Sequence, residues 1–217
     1  MKLVGLTGGI GSGKTTVLNK FKQLDVPCFI TDIEAKKLYD DPAVVKELRD
    51  TFSDVSMDSI IDADGKVDRK ALGKFVFSDE YCLYKLNNLI HPKVRKKFFE
   101  WCYNVHEENP YQPYVIIESA IMYETHLDQY LDKVIVAYLD REERIKRTAL
   151  RDGATREQIE ARMLRQMPDE DKVEKADFIV HTYEGNPLTK QVELIDKALR
   201  QKFIERDKYD FVVVNAK

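Results

Sequence analysis

The segment KLVGLTGGIGSGKT, Lys2–Thr15, decides the fold of this chain. A short and mostly apolar run leads into residues 8–15, which satisfy the pattern G-x-x-x-x-G-K-[ST]. A strand followed by a glycine-rich turn and a helix is the context in which this pattern wraps a phosphate group. Its glycines let backbone N–H groups point inward, and the following helix adds its positive N-terminal end. A turn without chemical consequence is the alternative, and the strand and helix context favours phosphate binding.

Two side chains of this loop have predicted tasks. Lys14 would neutralise charge on the β- and γ-phosphates of a nucleotide, and Thr15 can hold Mg²⁺. The loop alone does not separate kinases from GTPases or ATPases, because all three use it.

Composition excludes several classes of protein. The chain has 217 residues, with 35 Lys and Arg against 38 Asp and Glu, a formal net charge of −3. This balance argues against a basic nucleic-acid binder and against an acidic tail. No apolar run approaches the ~18 residues of a membrane span. Cys28, Cys82 and Cys102 lack metal-ligand spacing, which favours a reducing compartment. We therefore expect one elaborated domain in the cytoplasm, without nucleic-acid or membrane partners.

Short runs rich in branched apolar residues alternate with helical patterns, which predicts an α/β fold with a parallel sheet covered by helices. The five predicted strands are Lys2–Thr7, Pro27–Ile30, Tyr114–Ile117, Lys133–Leu139 and Phe178–Val180.

Two helical insertions interrupt this predicted core, which comprises residues 1–31, 114–140 and 177–217. Residues 32–113 are interpreted as a substrate-binding lobe, with helices over 67–77 and 81–105. Residues 141–176 are interpreted as a mobile lid.

Within that lid, Thr155 and Gln158 have capping-box spacing, and a helical run ends near Met167, before Pro168. A last helical pattern covers residues 187–203, and the run 211–214 could add an edge strand.

Two acidic residues follow predicted strands. Asp32 comes after the second strand, where a carboxylate could orient or deprotonate an acceptor hydroxyl or reach Mg²⁺ through water. Capping of a helix that begins near Ile33 is an equal alternative. Glu118 follows the third strand, where it could serve the Mg²⁺ site or be an exposed loop acid.

Basic residues are concentrated in the lid. Arg144, Arg147 and Arg151 have i, i+3, i+7 spacing, and Arg162 and Arg165 follow on the next helix. If these helices close over the loop, guanidinium groups would face the triphosphate and neutralise the transferred charge. A solvated basic face is the default reading of such a pattern. His91, which precedes Pro92, is by itself more typical of a structural histidine.

Short motifs recur in a characteristic order along the chain. They are the loop Gly5–Thr16, Thr31-Asp32 with Ala35, Leu86-Asn87, Ile90-His91-Pro92, Ile121–Glu124, Arg147, Arg151-Asp152, Arg162, Gln166-Met167-Pro168, Lys172 and Ala176-Asp177. Together they resemble the dephospho-CoA kinase family over about residues 3–199. Two departures stand out: the family usually has Asp-Ala-Asp at residues 30–32, where this chain has Ile-Thr-Asp, and usually has Asn near Thr182.

This resemblance implies a P-loop kinase core with a helical CoA-binding lobe and a lid. It implies ATP-dependent phosphorylation of the ribose 3′-hydroxyl of dephospho-CoA, giving CoA and ADP, the final step of coenzyme A biosynthesis. Asp32 is implied as the catalytic base and His91 as part of the substrate site, with Mg²⁺ as cofactor and a monomer or small homo-oligomer as the working form. The ATP loop maps onto Gly11, Ser12, Gly13, Lys14, Thr15 and Thr16, and the lid cations map onto Arg147, Arg151 and Arg162.

Two other functions are weighed against this one. A nucleoside or nucleotide kinase on the same core would release ADP with another acceptor. A nucleotide-dependent switch would hydrolyse NTP slowly and would carry the guanine-recognition run N-K-x-D. No such run occurs, because Asn19-Lys20 is followed by Phe21-Lys22.

Overall fold

Five parallel strands organise the part of the chain that the computed structural model describes, residues 1–201. Their order across the sheet is second, third, first, fourth, fifth. They are β1 (Lys2–Thr7), β2 (Cys28–Ile30), β3 (Tyr114–Glu118), β4 (Lys133–Tyr138) and β5 (Phe178–His181).

The first strand lies at the centre of the sheet. In β1, Val4 pairs with Ile116 of β3 on one side and with Lys133 of β4 on the other. Every residue of β1 is buried, as expected for a central parallel strand covered on both faces. The glycine-rich loop therefore emerges from the middle of the sheet at its carboxyl edge, where open α/β sheets bind ligands.

Helices occupy much of the rest of the described chain. A 3₁₀ turn, Leu127–Tyr130, precedes β4. The α-helices are α1 (Lys14–Lys22), α2 (Thr31–Leu38), α3 (Pro42–Thr51), α4 (Arg69–Val76), α5 (Glu80–Glu108), α6 (Arg141–Asp152), α7 (Arg156–Met163), α8 (Asp169–Glu174) and α9 (Leu188–Arg200).

One apolar core lies between the sheet and helices α1 and α9. Val17 and Phe21 of α1 and Val192 of α9 are buried in one cluster with residues of β1, β3 and β4. Phe21 meets Tyr114 of β3 edge-on, with ring centroids 6.5 Å apart. This packing fixes α1, and with it the helix end that follows the glycine-rich loop.

The chain divides into two compact units. The first is Met1–Ile30 together with the described residues from Glu100 to Gln201, and the second is Thr31–Phe99. Within the second, Asp41 and Asp68 cap α3 and α4 by accepting backbone N–H groups, and Phe52 meets Phe75 edge-on at 5.4 Å. The substrate-binding lobe was predicted to span residues 32–113, whereas the second unit ends at Phe99. This boundary falls inside helix α5, Glu80–Glu108, which contributes residues to both units.

The predicted strands are confirmed, and their ends shift by at most one residue. Several helix limits differ. The lid run expected to reach Met167 stops at Met163, and the backbone N–H of Met167 instead donates to Glu124 Oε1 at 2.6 Å. The capping box of Thr155 and Gln158 is present with both hydrogen bonds. The possible strand over 211–214, and residues 207–217 as a whole, lie outside the described residues.

Candidate active site

The glycine-rich loop leads directly into α1. Gly11 and Gly13 have φ angles of 78° and 86°, a region that glycine adopts without steric cost. The N–H of Ser12 donates to the Gly9 carbonyl at 3.1 Å, which closes the turn. Helix α1 starts at Lys14, so the positive end of its backbone dipole faces the loop. The arrangement is that of an anion-binding loop.

Residue 11 must also be glycine because there is no room for a side chain at this position. A Cβ atom there would lie 2.5 Å from the Arg144 carbonyl oxygen and 2.6 Å from Thr148 Oγ1. Helix α6 therefore packs directly against the loop backbone.

Lys14 lies over this loop. Its Nζ donates to the Gly8 carbonyl at 2.8 Å and to the Gly9 carbonyl at 3.2 Å. Thr15 and Thr16 follow in the first turn of α1 and are exposed. An ammonium held by carbonyl oxygens is already positioned for an anion that enters the loop.

Glu118 is the last residue of β3, not the first residue after it. It pairs with Leu6 of β1 on one side and with Ile30 of β2 on the other, and it is half-buried. The structure thus places this carboxylate at the sheet edge from which the glycine-rich loop emerges.

Asp32 and His91 belong to the second compact unit. Asp32 lies in the first turn of α2, which begins at Thr31, so the alternative that it precedes and caps a helix beginning near Ile33 is wrong. His91 lies inside α5, and burial together with the positive charge of Arg95 lowers its pKa. The neutral imidazole is therefore favoured.

Arg147 is held beside the loop. Its Nη2 donates to the carbonyl of Thr182 at 2.8 Å, and Thr182 Oγ1 donates to the carbonyl of Ser12 at 2.6 Å. Thr182 thus joins the end of β5, the loop and α6.

Arg151 and Arg162 share one carboxylate. Arg151 Nε and Nη2 donate to Asp152 at 2.7 and 3.1 Å, and Arg162 Nη1 donates to Asp152 Oδ2 at 2.8 Å. These hydrogen bonds, Arg151 first, lower the pKa of Asp152 to about 2. The cluster joins α6 to α7, and both arginines are more than one-third exposed.

Arg144 differs from the other arginines of its row. It forms a buried ion pair with Asp169, and its Nη1 donates to the carbonyl of Ile10 at 3.4 Å. The periodic spacing had grouped it with residues that face the triphosphate, but its guanidinium is directed at Asp169.

Gln166 and Asp169 contact the loop region although no role was predicted for either. Gln166 Oε1 accepts the N–H of Ile10 at 2.9 Å. The Gln166-Met167-Pro168 run carries part of the family resemblance and was the available signal for Gln166. Nothing in the local sequence singles out Asp169, one of three consecutive acidic residues.

Glu124 and Lys172 explain two further residues of the resemblance. Lys172 is fully buried, lies 3.1 Å from Glu124 Oε1 and donates to the carbonyl of Ala120 at 3.1 Å. Glu124 also accepts the N–H of Met167. The Glu124–Lys172 pair therefore connects the C-terminal part of the predicted lid to the segment that follows β3.

Residues 1–201 contain neither a membrane-spanning helix nor a self-sufficient cluster of metal ligands. No helix there has the length and apolar character needed to cross a membrane. No three Asp, Glu, His or Cys side chains there are grouped so that they alone could hold a metal ion.

Known proteins show the same sequence pattern. The family model described as dephospho-CoA kinase matches residues 2–186. The chain belongs to the dephospho-CoA kinase family. A dephospho-CoA kinase of Bacteroides fragilis is 34% identical over 200 residues, which cover 92% of this chain and 93% of the relative. Members of this family are P-loop kinases, so ATP is the cosubstrate.

Solved structures agree with this assignment. A dephospho-CoA kinase from Campylobacter jejuni has a TM-score of 0.68 and 28% identity, covering 92% of this chain and 97% of its own. A protein from Thermus thermophilus has a TM-score of 0.75 and 29% identity, covering 91% and 95%. The α/β fold with a parallel sheet and a P-loop kinase core is thereby confirmed.

Proposed function

We propose that this enzyme transfers the γ-phosphoryl group of ATP to the ribose 3′-hydroxyl of dephospho-CoA. The observation that carries the proposal is a complete phosphate-binding loop at the centre of a parallel sheet, in a chain that matches the dephospho-CoA kinase model over residues 2–186. In the reaction, the 3′-oxygen forms a bond to the γ-phosphorus and the bond to the β–γ bridging oxygen breaks. The hydroxyl proton passes to a base, and ADP leaves.

The loop binds the nucleotide in this proposal. Residues 11–16 supply backbone N–H groups and the start of α1, and Lys14 exchanges the Gly8 and Gly9 carbonyls for β- and γ-phosphate oxygens. The exchange requires no large movement, because the ammonium already lies over the loop.

Thr15 and Glu118 fit a Mg²⁺ ion that is bound mainly by phosphate oxygens. Mg²⁺ prefers oxygen ligands and commonly takes only one or two from protein side chains. A hydroxyl in the first turn of α1 and a carboxylate at the end of the neighbouring strand β3 provide them. An ion held by these two residues would neutralise charge on the phosphate groups.

Asp32 is proposed as the residue that orients the 3′-hydroxyl and accepts its proton. It is a carboxylate in the first turn of the helix that directly follows β2, and the family resemblance assigns this position to the base. A carboxylate oxygen there can accept a hydrogen bond from the hydroxyl that it orients.

Arg147, Arg151 and Arg162 are proposed to neutralise charge on the transferred group. Arg147 is held next to the loop by Thr182, which supports a role at the nucleotide. Arg162, with His91, is further proposed to contact dephospho-CoA. The Asp152 carboxylate keeps Arg151 and Arg162 together so that they approach the substrates as one unit.

The setting of the reaction is also proposed. The small net charge and the three scattered cysteines support action in the cytoplasm, without nucleic-acid or membrane partners. A monomer or small homo-oligomer is proposed as the working form.

Coupled detection of ADP tests this function. The purified protein is incubated with Mg-ATP and, in separate reactions, dephospho-CoA, nucleosides, nucleotides and CoA itself. ADP release that requires dephospho-CoA supports the proposal. Turnover with another acceptor alone would replace the substrate, and slow hydrolysis that ignores every acceptor would favour a nucleotide switch.

A further inference from the structure

Arg144 and Asp169 form an ion pair directly against the phosphate-binding loop. Their side chains are only 9% and 5% exposed. Arg144 lies in α6 and Asp169 is the first residue of α8, so the pair joins two helices of the predicted lid. A Cβ atom added to Gly9 would contact Arg144 and would lie 2.7 Å from Asp169 Oδ1. The loop backbone at Gly9 therefore rests on the pair with no room for a side chain.

Ile10, the next residue of the loop, forms hydrogen bonds with side chains through both its carbonyl and its N–H group. The carbonyl of Ile10 accepts Arg144 Nη1 at 3.4 Å, and its N–H donates to Gln166 Oε1 at 2.9 Å. A glycine-rich backbone has many conformations to lose on binding a phosphate. Contacts that fix it beforehand reduce that loss and improve affinity.

The energetics of the pair argue against a role in folding stability alone. A buried ion pair costs desolvation energy, and apolar residues of similar volume often replace it with no loss of stability. Burial raises the pKa of Asp169, and the positive charges of Arg144 and Lys172 offset only part of that rise. Arg144 Nε finds no hydrogen-bond partner within residues 1–201. Burial of this ion pair therefore lowers the stability of the folded state.

We infer that Arg144 and Asp169 are a positioning pair for the phosphate-binding loop. They hold the Gly9–Ile10 backbone in its phosphate-binding geometry, and together they place no net charge beneath a loop that receives a polyphosphate. The inference rests on the proposed use of ATP and deepens it, because it names residues that act on the nucleotide through the loop.

An apolar replacement of the whole pair separates positioning from stability. In the variant Arg144→Met with Asp169→Val, both charges are removed, the summed side-chain volume stays similar, and the shorter Val side chain does not press on Gly9. The matched control is Glu142→Gln with Arg156→Gln, which removes an exposed pair that joins α6 to α7 at 2.7 Å and does not contact the loop. Each protein is examined by thermal unfolding, by calorimetric titration with Mg-ADP and by steady-state kinetics.

The expected result is a melting temperature at or above that of the wild type, Mg-ADP binding weakened about tenfold or more, and kcat/KM for ATP lowered about 100-fold. The KM for dephospho-CoA should change by less than about twofold. In the control variant, the Mg-ADP affinity and the kinetic constants should stay within about twofold of the wild-type values. A lower melting temperature with unchanged Mg-ADP affinity would overturn the inference, since the pair would then be structural.

Arg144→Lys keeps the test decisive if the double variant does not fold. It retains the positive charge but loses the fork that reaches both Asp169 and Ile10. Weaker Mg-ADP binding with an unchanged melting temperature supports the inference, and unchanged binding overturns it. The titration contains no acceptor, so a wild-type protein that binds Mg-ADP but ignores dephospho-CoA would refute only the proposed acceptor.

Discussion

Replacing Gly11 by alanine should disturb the phosphate-binding loop in two ways. One is the cost of the backbone conformation at residue 11, and the other is a steric clash of the new side chain. Gly11 has a φ of 78°, and a left-handed conformation costs an L-residue about 1–2 kcal/mol. The new Cβ atom would also lie 2.5 Å from the carbonyl oxygen of Arg144. A backbone atom of α6 cannot rotate away, so the loop itself must move.

Gly185 provides the matched control. Its φ is 83°, but a Cβ atom there meets nothing within 4 Å. Gly185→Ala therefore isolates the conformational cost, and it should lower the melting temperature by about 2–8 °C for a chain of this size. Gly11→Ala should lower it at least as much.

The activities should separate the two variants more sharply than their stabilities. Displacement of the loop by about 1 Å should reduce kcat/KM for ATP about 100-fold in Gly11→Ala. Gly185→Ala should keep the wild-type value. The assay is ADP release with dephospho-CoA at several ATP concentrations, alongside thermal unfolding of each protein. Wild-type kcat/KM in Gly11→Ala would refute the argument that α6 fixes the loop backbone.

Three other predictions concern single side chains. Lys14→Ala should lower kcat at least about 100-fold and leave the melting temperature unchanged, because it removes a cation that the transition state needs; unfolding curves serve as the control. Asp32→Asn should lower kcat about 100-fold or more with little change in the KM for ATP, and a near-normal kcat would remove the assignment as base. The stability from Asp152, whose pKa falls from 3.8 to about 2 on folding, should be complete above pH 3.8 and lost as the pH falls through 2. The difference in melting temperature between wild type and Asp152→Asn should therefore shrink across that interval; a constant difference would contradict the hydrogen bonds to Arg151 and Arg162.

The strands were predictable because their signal is local. Residues 2–7 are a mostly apolar run followed at once by glycine, and β1 has those limits. The start of α1 follows from the same motif, since Gly13 has a φ of 86° and Lys14 begins the helix. Uniform burial on both faces of a parallel sheet leaves little freedom for such segments.

The limits of the lid helices were not predictable in the same way. The helical pattern continues past Met163, but Met167 gives its N–H to Glu124, a residue far away in the chain. Local propensity cannot report such a tertiary contact. Asp32 is similar, because a helix that begins one residue before it moves the side chain from a cap into the first turn.

The arginines of α6 show what helical periodicity can predict and what it cannot. Arg144, Arg147 and Arg151 repeat along one helix, yet the first is buried on Asp169, the second is bound to Thr182 and the third is exposed beside Asp152. Spacing gives the helix face, whereas the partner decides burial and charge. The loop residues were identified because their motif is contiguous.

Transfer of an isotopic label tests the central claim most directly. The enzyme is supplied with dephospho-CoA and with ATP that carries ¹⁸O on the non-bridging oxygens of its γ-phosphate, and the products are analysed by mass spectrometry. We predict that the label appears on the 3′-phosphate of CoA, one CoA for each ADP, and that Lys14→Ala gives neither product. Label found only in inorganic phosphate, with dephospho-CoA unchanged, would contradict the proposed phosphoryl transfer.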